Sequence, residues 1–252
     1  MKRTTLLIAL IAILLVGVVL AADFWEKKPY NQWKEKDCLK MLESSPWVYD
    51  FRLARMGDIG ANVRGPKPPQ TTTTGDSGSS GSSGEFDYER ESVTIIRIAL
   101  FSSHPIRQAY VAIAAKGDAG RIQKMKDFAT RDAGDEIVLA WTLDSRPKRN
   151  ESVQLLDKQL RTLTLGELKN DTYLATDDGR KVFLKDYIPP TPDGTGAKFV
   201  FPRTLEDGSP LITPDVKSFK FQTIQFHFKD EDVAVDATFK VDKLMYNGQL
   251  DY

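Results

Sequence analysis

Residues 219–241 read FKFQTIQFHFKDEDVAVDATFKV. Val233, Val235, Ala237, Phe239 and Val241 alternate strictly with their neighbours, the period-two pattern of a strand with one buried face. Upstream, Phe219 and Phe221 share one phase, while Ile224, Phe226 and Phe228 share the opposite one. A slip of one residue turns every side chain to the other face of a sheet, so this change of phase predicts a bulge or bend.

The same pattern extends toward the N-terminus. DTYLAT at 171–176, RKVFLKDYI at 180–188 and AKFVFPR at 197–203 read as short strands. Asp177-Asp178-Gly179, Asp207-Gly208 and Asn247-Gly248 read as hairpin-type turns. EIVLAWTL at 136–143 is nearly continuous apolar sequence, as in a strand covered on both faces. VTIIRIALF, from residue 93, puts Ile96, Ile98 and Leu100 on one face.

Between these two strands lies helical patterning. Ile106, Ala109, Tyr110, Ile113 and Ala114 recur at helical spacing, with Pro105 near the start and Gly117 as stop. A second helix is expected from Asp118, as cap, to about Ala133, with Ile122, Met125 and Ala129 inward. About seven short strands with helices inserted early predict a β-rich fold. The expected form is an antiparallel β-sandwich-like core with inserted or flanking helices; an α+β layer fold is the alternative.

The chain has 252 residues, 41% apolar and 28% charged, with 35 basic and 35 acidic side chains. That is enough apolar sequence for a real core and gives no electrostatic footprint for nucleic acid. Lys2 and Arg3 precede the apolar run LLIALIAILLVGVVLAA, and Val19-Leu20-Ala21 supplies small residues for cleavage. This order reads as a signal peptide over residues 1–21, with an uncleaved membrane anchor as the alternative given the length of the run. Both place the bulk of the chain outside the cytoplasm, periplasmic or extracellular, and possibly tethered to the inner membrane. An N-terminal helix–strand segment follows at 22–64. Residues 65–84, GPKPPQTTTTGDSGSSGSSG, have no large apolar side chain and read as a flexible, disordered linker or surface loop. The β-rich domain then occupies 85–252, with its helices near 104–133.

The N-terminal segment holds the densest motif, YNQWKEKDCLKMLESSPW at 30–47. Asn31 is the expected N-cap of a helix on which Trp33, Cys38, Leu39, Met41 and Leu42 recur, and Ser45-Pro46 the stop. At 100° per residue from Trp33, Met41 lies at about 80°, Cys38 at about 140° and Leu42 at about 180°. Cys38, the only cysteine, therefore sits like a small core residue, and no internal disulfide can form. Tyr30, Trp33 and Trp47 could stack on a sugar or peptide, but aromatics that bracket a helix more often dock it on a sheet. WVYDFRLAR then alternates as a half-buried strand.

Elsewhere the chemistry is sparse. His104 stands at a helix start, and His227 between two phenylalanines; neither lies in an HxH or HxxxH spacing that would hold a metal. Asp177-Asp178 and Asp230-Glu231-Asp232 lack the glycine of a calcium loop and read as solvated turn charges. No G-x-S-x-G, P-loop or dinucleotide fingerprint occurs. Asn150-Glu151-Ser152 and Asn170-Asp171-Thr172 match the glycosylation sequon. The sequence thus points to no catalytic residue, metal ligand or cofactor.

Tyr30, Trp33, Leu42, Ser45, Pro46 and Trp47 spell Tyr-x-x-Trp, a charged helix, then Leu-x-x-Ser-Pro-Trp. Together with the Gly/Ser run at 75–84 and the ending ATFKVDKLMYNGQLDY, this resembles a family of uncharacterised exported proteins, chiefly acidobacterial. FVFPRT at 199–204 extends the likeness into the middle of the chain. The resemblance implies export and this domain plan, and carries no activity. The expectation is an exported non-catalytic protein that contacts another protein or a cell-envelope component. It binds no nucleic acid, and it meets a membrane only through the N-terminal segment if that is not cleaved. An envelope carbohydrate-binding module or hydrolase is the alternative.

Overall fold

A computed structural model of the chain describes residues 24–54, 93–146, 151–228 and 231–252. The expected leader, the Gly/Ser/Thr/Pro-rich stretch and Asn150 of the first sequon lie outside the described residues.

The elements run α1 (Phe24–Lys27), a 3-10 turn (Tyr30–Gln32), α2 (Glu35–Ser44), β1 (Val48–Ala54), β2 (Val93–Leu100), α3 (His104–Ala115), α4 (Ala119–Lys124) and α5 (Lys126–Thr130). Then come β3 (Glu136–Arg146), α6 (Glu151–Thr162), α7 (Leu165–Leu168), β4 (Tyr173–Thr176), β5 (Lys181–Phe183), β6 (Asp186–Ile188) and β7 (Ala197–Pro202). The chain ends with β8 (Ser218–Phe228), β9 (Glu231–Lys240), a 3-10 turn (Val241–Lys243), β10 (Met245–Tyr246) and β11 (Gln249–Leu250).

The protein is β-rich, and every strand pair among the described residues is antiparallel. One sheet has five strands in the order β1-β2-β3-β7-β6, a second has four in the order β5-β4-β8-β9, and β10 pairs with β11 alone. The two large sheets form a β-sandwich-like core. The inner phase of the first sheet is Ile96, Ile98, Leu100, Leu139, Trp141, Phe199 and Phe201, all buried. Its rings meet those of β8: Trp141 lies 4.5 Å from Phe226, Phe199 5.4 Å from Phe221 and Phe201 6.0 Å from Phe221, between centroids. Such pairs add to the transfer energy of the buried area, which is what stabilises the sandwich.

The expected phase change in β8 is present. The β8–β9 register shifts between Thr223 and Phe226, which lets Phe219, Phe221 and Phe226 all reach the core. The alternation of β9 is equally direct, with Val235, Ala237 and Phe239 buried. In β3, Leu139, Ala140 and Trp141 are buried in succession, as a strand covered on both faces requires. Helices supply the second cover: Tyr110 of α3 lies 5.7 Å from Phe101, edge to face, beside the outer phase that holds Ala99 and Ala140.

Several local expectations are corrected. Asn31 caps no α-helix; it lies in the 3-10 turn, Trp33 is extended (φ −70°, ψ 132°), and α2 starts only after Lys34, whose N–H is received by Asp37 at 3.1 Å. Leu39 is 42% exposed, because at about 240° on the same wheel it leaves the apolar arc. On α3, Ala114 is exposed, while Arg107, Gln108, Val111 and Ala115 join Ile106 and Ala109 in the buried set. The single helix expected over 118–133 breaks at Met125 (φ −100°, ψ 7°), a turn that brings Phe128 to within 5.8 Å of Phe101. The described residues contain eleven strands rather than about seven, and α6, absent from the sequence-based expectation, buries Leu156 and Leu160. The N-terminal segment joins the first sheet directly, since β1 pairs with β2 from Val48↔Ala99 to Ala54↔Val93.

Candidate functional site

The motif at 30–47 comes together as a packed aromatic chain. Trp47 has no exposed surface and Trp33 is buried; Tyr30 and Leu42 pack half-buried against the same core. Phe24 lies edge-on to Trp25 and Trp33 (5.0 and 5.4 Å), Trp25 to Trp47 (5.7 Å), and Trp47 to Tyr246 (6.5 Å). The Trp33 indole N–H donates to Lys28 O at 2.9 Å. Ser45 ends α2 and its carbonyl receives the Val48 N–H at 3.1 Å, while Pro46 is half-buried at the turn into β1. Cys38 is 1% exposed. Burial, with Asp37 and Glu35 adding like charge, pushes its thiol up to about 11. None of these residues presents a reactive group; they dock α2.

The helix packs against α3 and β1, and Trp47 carries the motif on to the C-terminal hairpin, where the polar groups gather. The Trp47 indole N–H donates to the Asp251 carbonyl at 2.7 Å. The Asp251 carboxylate receives the His104 main-chain N–H at 2.9 Å and meets His104 Nδ1 at 2.8 Å. It therefore fills the N-terminus of α3, where Ser103 provides no side-chain cap, and a carboxylate is favoured by the helix dipole. His104 Nε2 faces the Thr130 carbonyl at 3.2 Å. Both ring nitrogens thus meet acceptors, and only the imidazolium satisfies both. The Asp251 hydrogen bond raises the His104 pKa, with burial opposing it.

Around this pair opens a cleft of about 460 Å³, lined among others by Gln108, Asp132, Arg203, Tyr246 and Tyr252. Tyr246 OH donates to Gln108 Oε1 at 2.6 Å. Arg203 donates to the main-chain carbonyl of Tyr252 and lies 4.2 Å over its ring; its Nε is buried with no partner. Arg107, behind the cleft, donates to Phe128 O at 3.0 Å; burial lowers its pKa, and one of its amino groups is unpartnered. Ser102 Oγ receives the Val138 N–H at 3.1 Å, and Ser103 Oγ donates to Leu100 O at 2.7 Å, so both hydroxyls serve the main chain.

The remaining sequence candidates lie elsewhere. His227 is in β8, paired in register with Asp232 of β9. Asp177 accepts the N–H groups of Lys217 and Ser218, and Asp178 pairs with Arg180 at 2.7 Å, so these acids hold turns. In the sequon at Asn170, Thr172 is fully buried with its hydroxyl 2.9 Å from that of Thr223. Among the described residues no group of three or more His, Cys, Asp or Glu is placed to hold a metal, and no helix is long and apolar enough to cross a membrane.

Sequence reasoning missed Asp251, Gln108, Arg107 and Arg203. The usable signal was weak: Asp251 follows an Asn-Gly hairpin turn with φ of 50° and 77°, which returns the chain end toward α3. Comparison of the chain with family models, with curated proteins and with solved structures gives no match.

Proposed function

We propose that the protein is an exported, non-catalytic module that acts through contacts with another protein or a cell-envelope component, and that it shares this role with the exported family its two ends resemble. The observation that supports this most is the commitment of four of the cleft's polar side chains to the fold: His104, Asp251, Gln108 and Tyr246 bond one another or the main chain. The basic and apolar run at the N-terminus supports export. An envelope carbohydrate-binding module is the second reading, and one observation favours it. Phe183 of β5 is 50% exposed and lies 5.9 Å from Tyr173. Against it, Lys181 sits 3.9 Å over the Tyr173 ring and occupies the face a sugar would use.

Two measurements test the proposal. The full chain, produced in a Gram-negative host, is fractionated by osmotic shock; recovery in the periplasm or on the outer face of the inner membrane is expected, and a cytoplasmic pool would overturn export. Purified protein is then pelleted with peptidoglycan sacculi and with envelope vesicles. Co-sedimentation that survives Phe183→Ala favours the general contact reading, and loss of sacculus binding in that variant favours the carbohydrate reading.

A further inference from the structure

A second cleft, of about 360 Å³, opens between β3, α6 and the loop that precedes β7. It lies where a strand ladder stops short. β7 pairs with β3 from Glu136↔Pro202 to Trp141↔Ala197, but β3 runs on to Arg146. The phase of the ladder fixes where the next main-chain groups point. The Arg203 N–H donates to the Asp135 carbonyl at 2.9 Å, and Ile137, Leu139 and Trp141 follow at steps of two, so they too bond toward β7. Leu143 is next in that series. On the other side, the Leu100 N–H donates to the Trp47 carbonyl, so Ala99, Arg97 and Ile95 are the β2 residues that bond β3, opposite Ala140, Thr142 and Asp144. The Leu143 N–H and C=O therefore face the side that β7 has left. Among the described residues no main-chain group pairs with them there.

The residue in register with Leu143 would be Thr195, and the chain withholds it. Gly196, at φ +75°, turns the backbone out of the ladder. The Thr195 N–H donates to Asp193 Oδ1 at 2.9 Å, and its carbonyl receives Lys198 Nζ at 3.0 Å. Lys198, opposite Ala140 on the outer face, also donates to Gly196 O at 2.7 Å, so the loop is held on that face. On the inner face α6 supplies a wall, since Tyr187, opposite Phe199, donates to the Leu160 carbonyl. Leu143, Val153, Leu160 and Pro190 give the cleft its apolar lining. Arg161 and Asp157 on its rim are bonded to each other at 2.8 Å, so the rim selects no charge.

A donor and an acceptor on an open strand edge, beside an apolar cleft, match an extended polypeptide: main-chain bonds hold it and the pocket selects a side chain. We propose that the β3 edge at Leu143 docks an extended segment of a partner protein, antiparallel to β3 in the line that β7 vacates, with one apolar side chain in the cleft. The residue opposite Leu143 exchanges both main-chain bonds with it. Opposed side chains share a face, so this one enters beside α6 while its two neighbours point outward. The segment that fits is therefore polar–apolar–polar. The inference deepens the contact role proposed above and rests on it for the existence of a partner.

The probe is acetyl-Thr-Thr-Val-Thr-Thr-amide. One control carries N-methylvaline, which lacks the central donor, and a second carries Ser in place of Val. The full chain is labelled with ¹⁵N and its amides are assigned through bonds. In the free chain the Leu143 amide is expected to exchange with solvent at least tenfold faster than that of Trp141, which is bonded to Ala197. Titration with the probe is expected to move the Leu143 amide proton downfield to saturation and to slow its exchange at least tenfold. Both controls are expected to bind at least tenfold more weakly. Absence of a saturable shift at Leu143 up to the solubility limit of the peptide overturns the proposal, as does equal binding of the controls or a shift confined to another strand edge. A Leu143 amide already protected in the free chain would show that the chain fills its own edge. A dimer in sedimentation that the peptide dissolves would assign the edge to a second copy. Either result also overturns the proposal. Failure of peptide binding with envelope co-sedimentation intact strikes the docking site alone, whereas peptide binding by a chain that stays in the cytoplasm strikes the export reading alone.

Discussion

Replacing Asp251 with Asn separates the two roles of its carboxylate. The Asn amide oxygen can still receive the His104 main-chain N–H, so the helix cap, worth about 1 kcal/mol, is largely kept. The charge-assisted bond to His104 Nδ1 is lost. Hydrogen bonds to charged groups contribute about 1.5–3 kcal/mol, and the His104 side chain is 26% exposed, which screens part of that. The expected cost of Asp251→Asn is therefore about 1–2 kcal/mol, and of Asp251→Ala, which loses both roles, about 2–3 kcal/mol. The loss must also depend on pH. The carboxylate raises the His104 pKa above its ordinary value of 6.5, so the folded chain binds more protons than the unfolded chain between the two values. The contribution is complete below pH 6.5 and is lost as pH rises through the folded value. Urea unfolding followed by tryptophan fluorescence at half-unit steps from pH 5.5 to 8.5 measures this. The gap between wild type and Asp251→Asn is expected to be widest at pH 5.5 and to narrow toward pH 8.5. Parallel profiles for the two proteins would refute the imidazolium clasp.

Three further outcomes follow from named contacts. Cys38, buried and with its thiol pushed up to about 11, is expected to react with a thiol reagent at neutral pH only after denaturant is added; rapid stoichiometric labelling of the native chain would contradict its packing. Phe239→Ala, which removes a ring stacked 5.2 Å from Phe219, is expected to destabilise by about 3–5 kcal/mol in chemical denaturation, while Lys240→Ala on the opposite face costs less than about 0.5 kcal/mol. Gly196→Ala is expected to cost at least about 2 kcal/mol, because the new Cβ meets the Trp141 carbonyl; Gly134→Ala, at φ +65° in open space, is the control at about 1 kcal/mol, and equal thermal shifts would show that the loop gives way.

The sandwich was legible because its strands write burial at period two, a signal that survives without knowledge of partners. Phe219, Phe221 and Phe226 reveal even the bulge, since their phases cannot be reconciled in a straight ladder. Helix boundaries were less legible. Trp33 looks helical by spacing, yet its indole turns back to the Lys28 carbonyl and the chain stays extended until Lys34, a tertiary preference that propensity does not encode. Asn31 looked like a cap for the same reason. The polar cleft was the least legible part. His104 was read as an ordinary helix-start residue, and its partner is 147 positions away. No local pattern announces a pair at that separation; only the fold brings it together.

That separation also explains the opening motif. The aromatic motif from Tyr30 to Trp47 and the stretch that closes with MYNGQLDY lie far apart in sequence. In the fold these ends are one structure: Trp47 is edge-on to Tyr246 and donates to the Asp251 carbonyl, 204 positions away in sequence. Tyr246 in turn donates to Gln108 of α3, and the Asp251 carboxylate caps that helix. Burying Trp47 completely removes about 200 Å² of mostly apolar surface from water, several kcal/mol at 25 cal/mol per Å², and each end supplies cover that the other lacks. A motif dense in Trp, Tyr and Pro is therefore accounted for by closure of the fold, without appeal to a ligand. Chemistry sought among its aromatic rings would be sought in the wrong place. Of the buried side-chain groups without partners, Ser45 Oγ lies in the motif, at the end of α2, while an Arg107 amino group, the Arg203 Nε and the Trp141 indole N–H lie outside it.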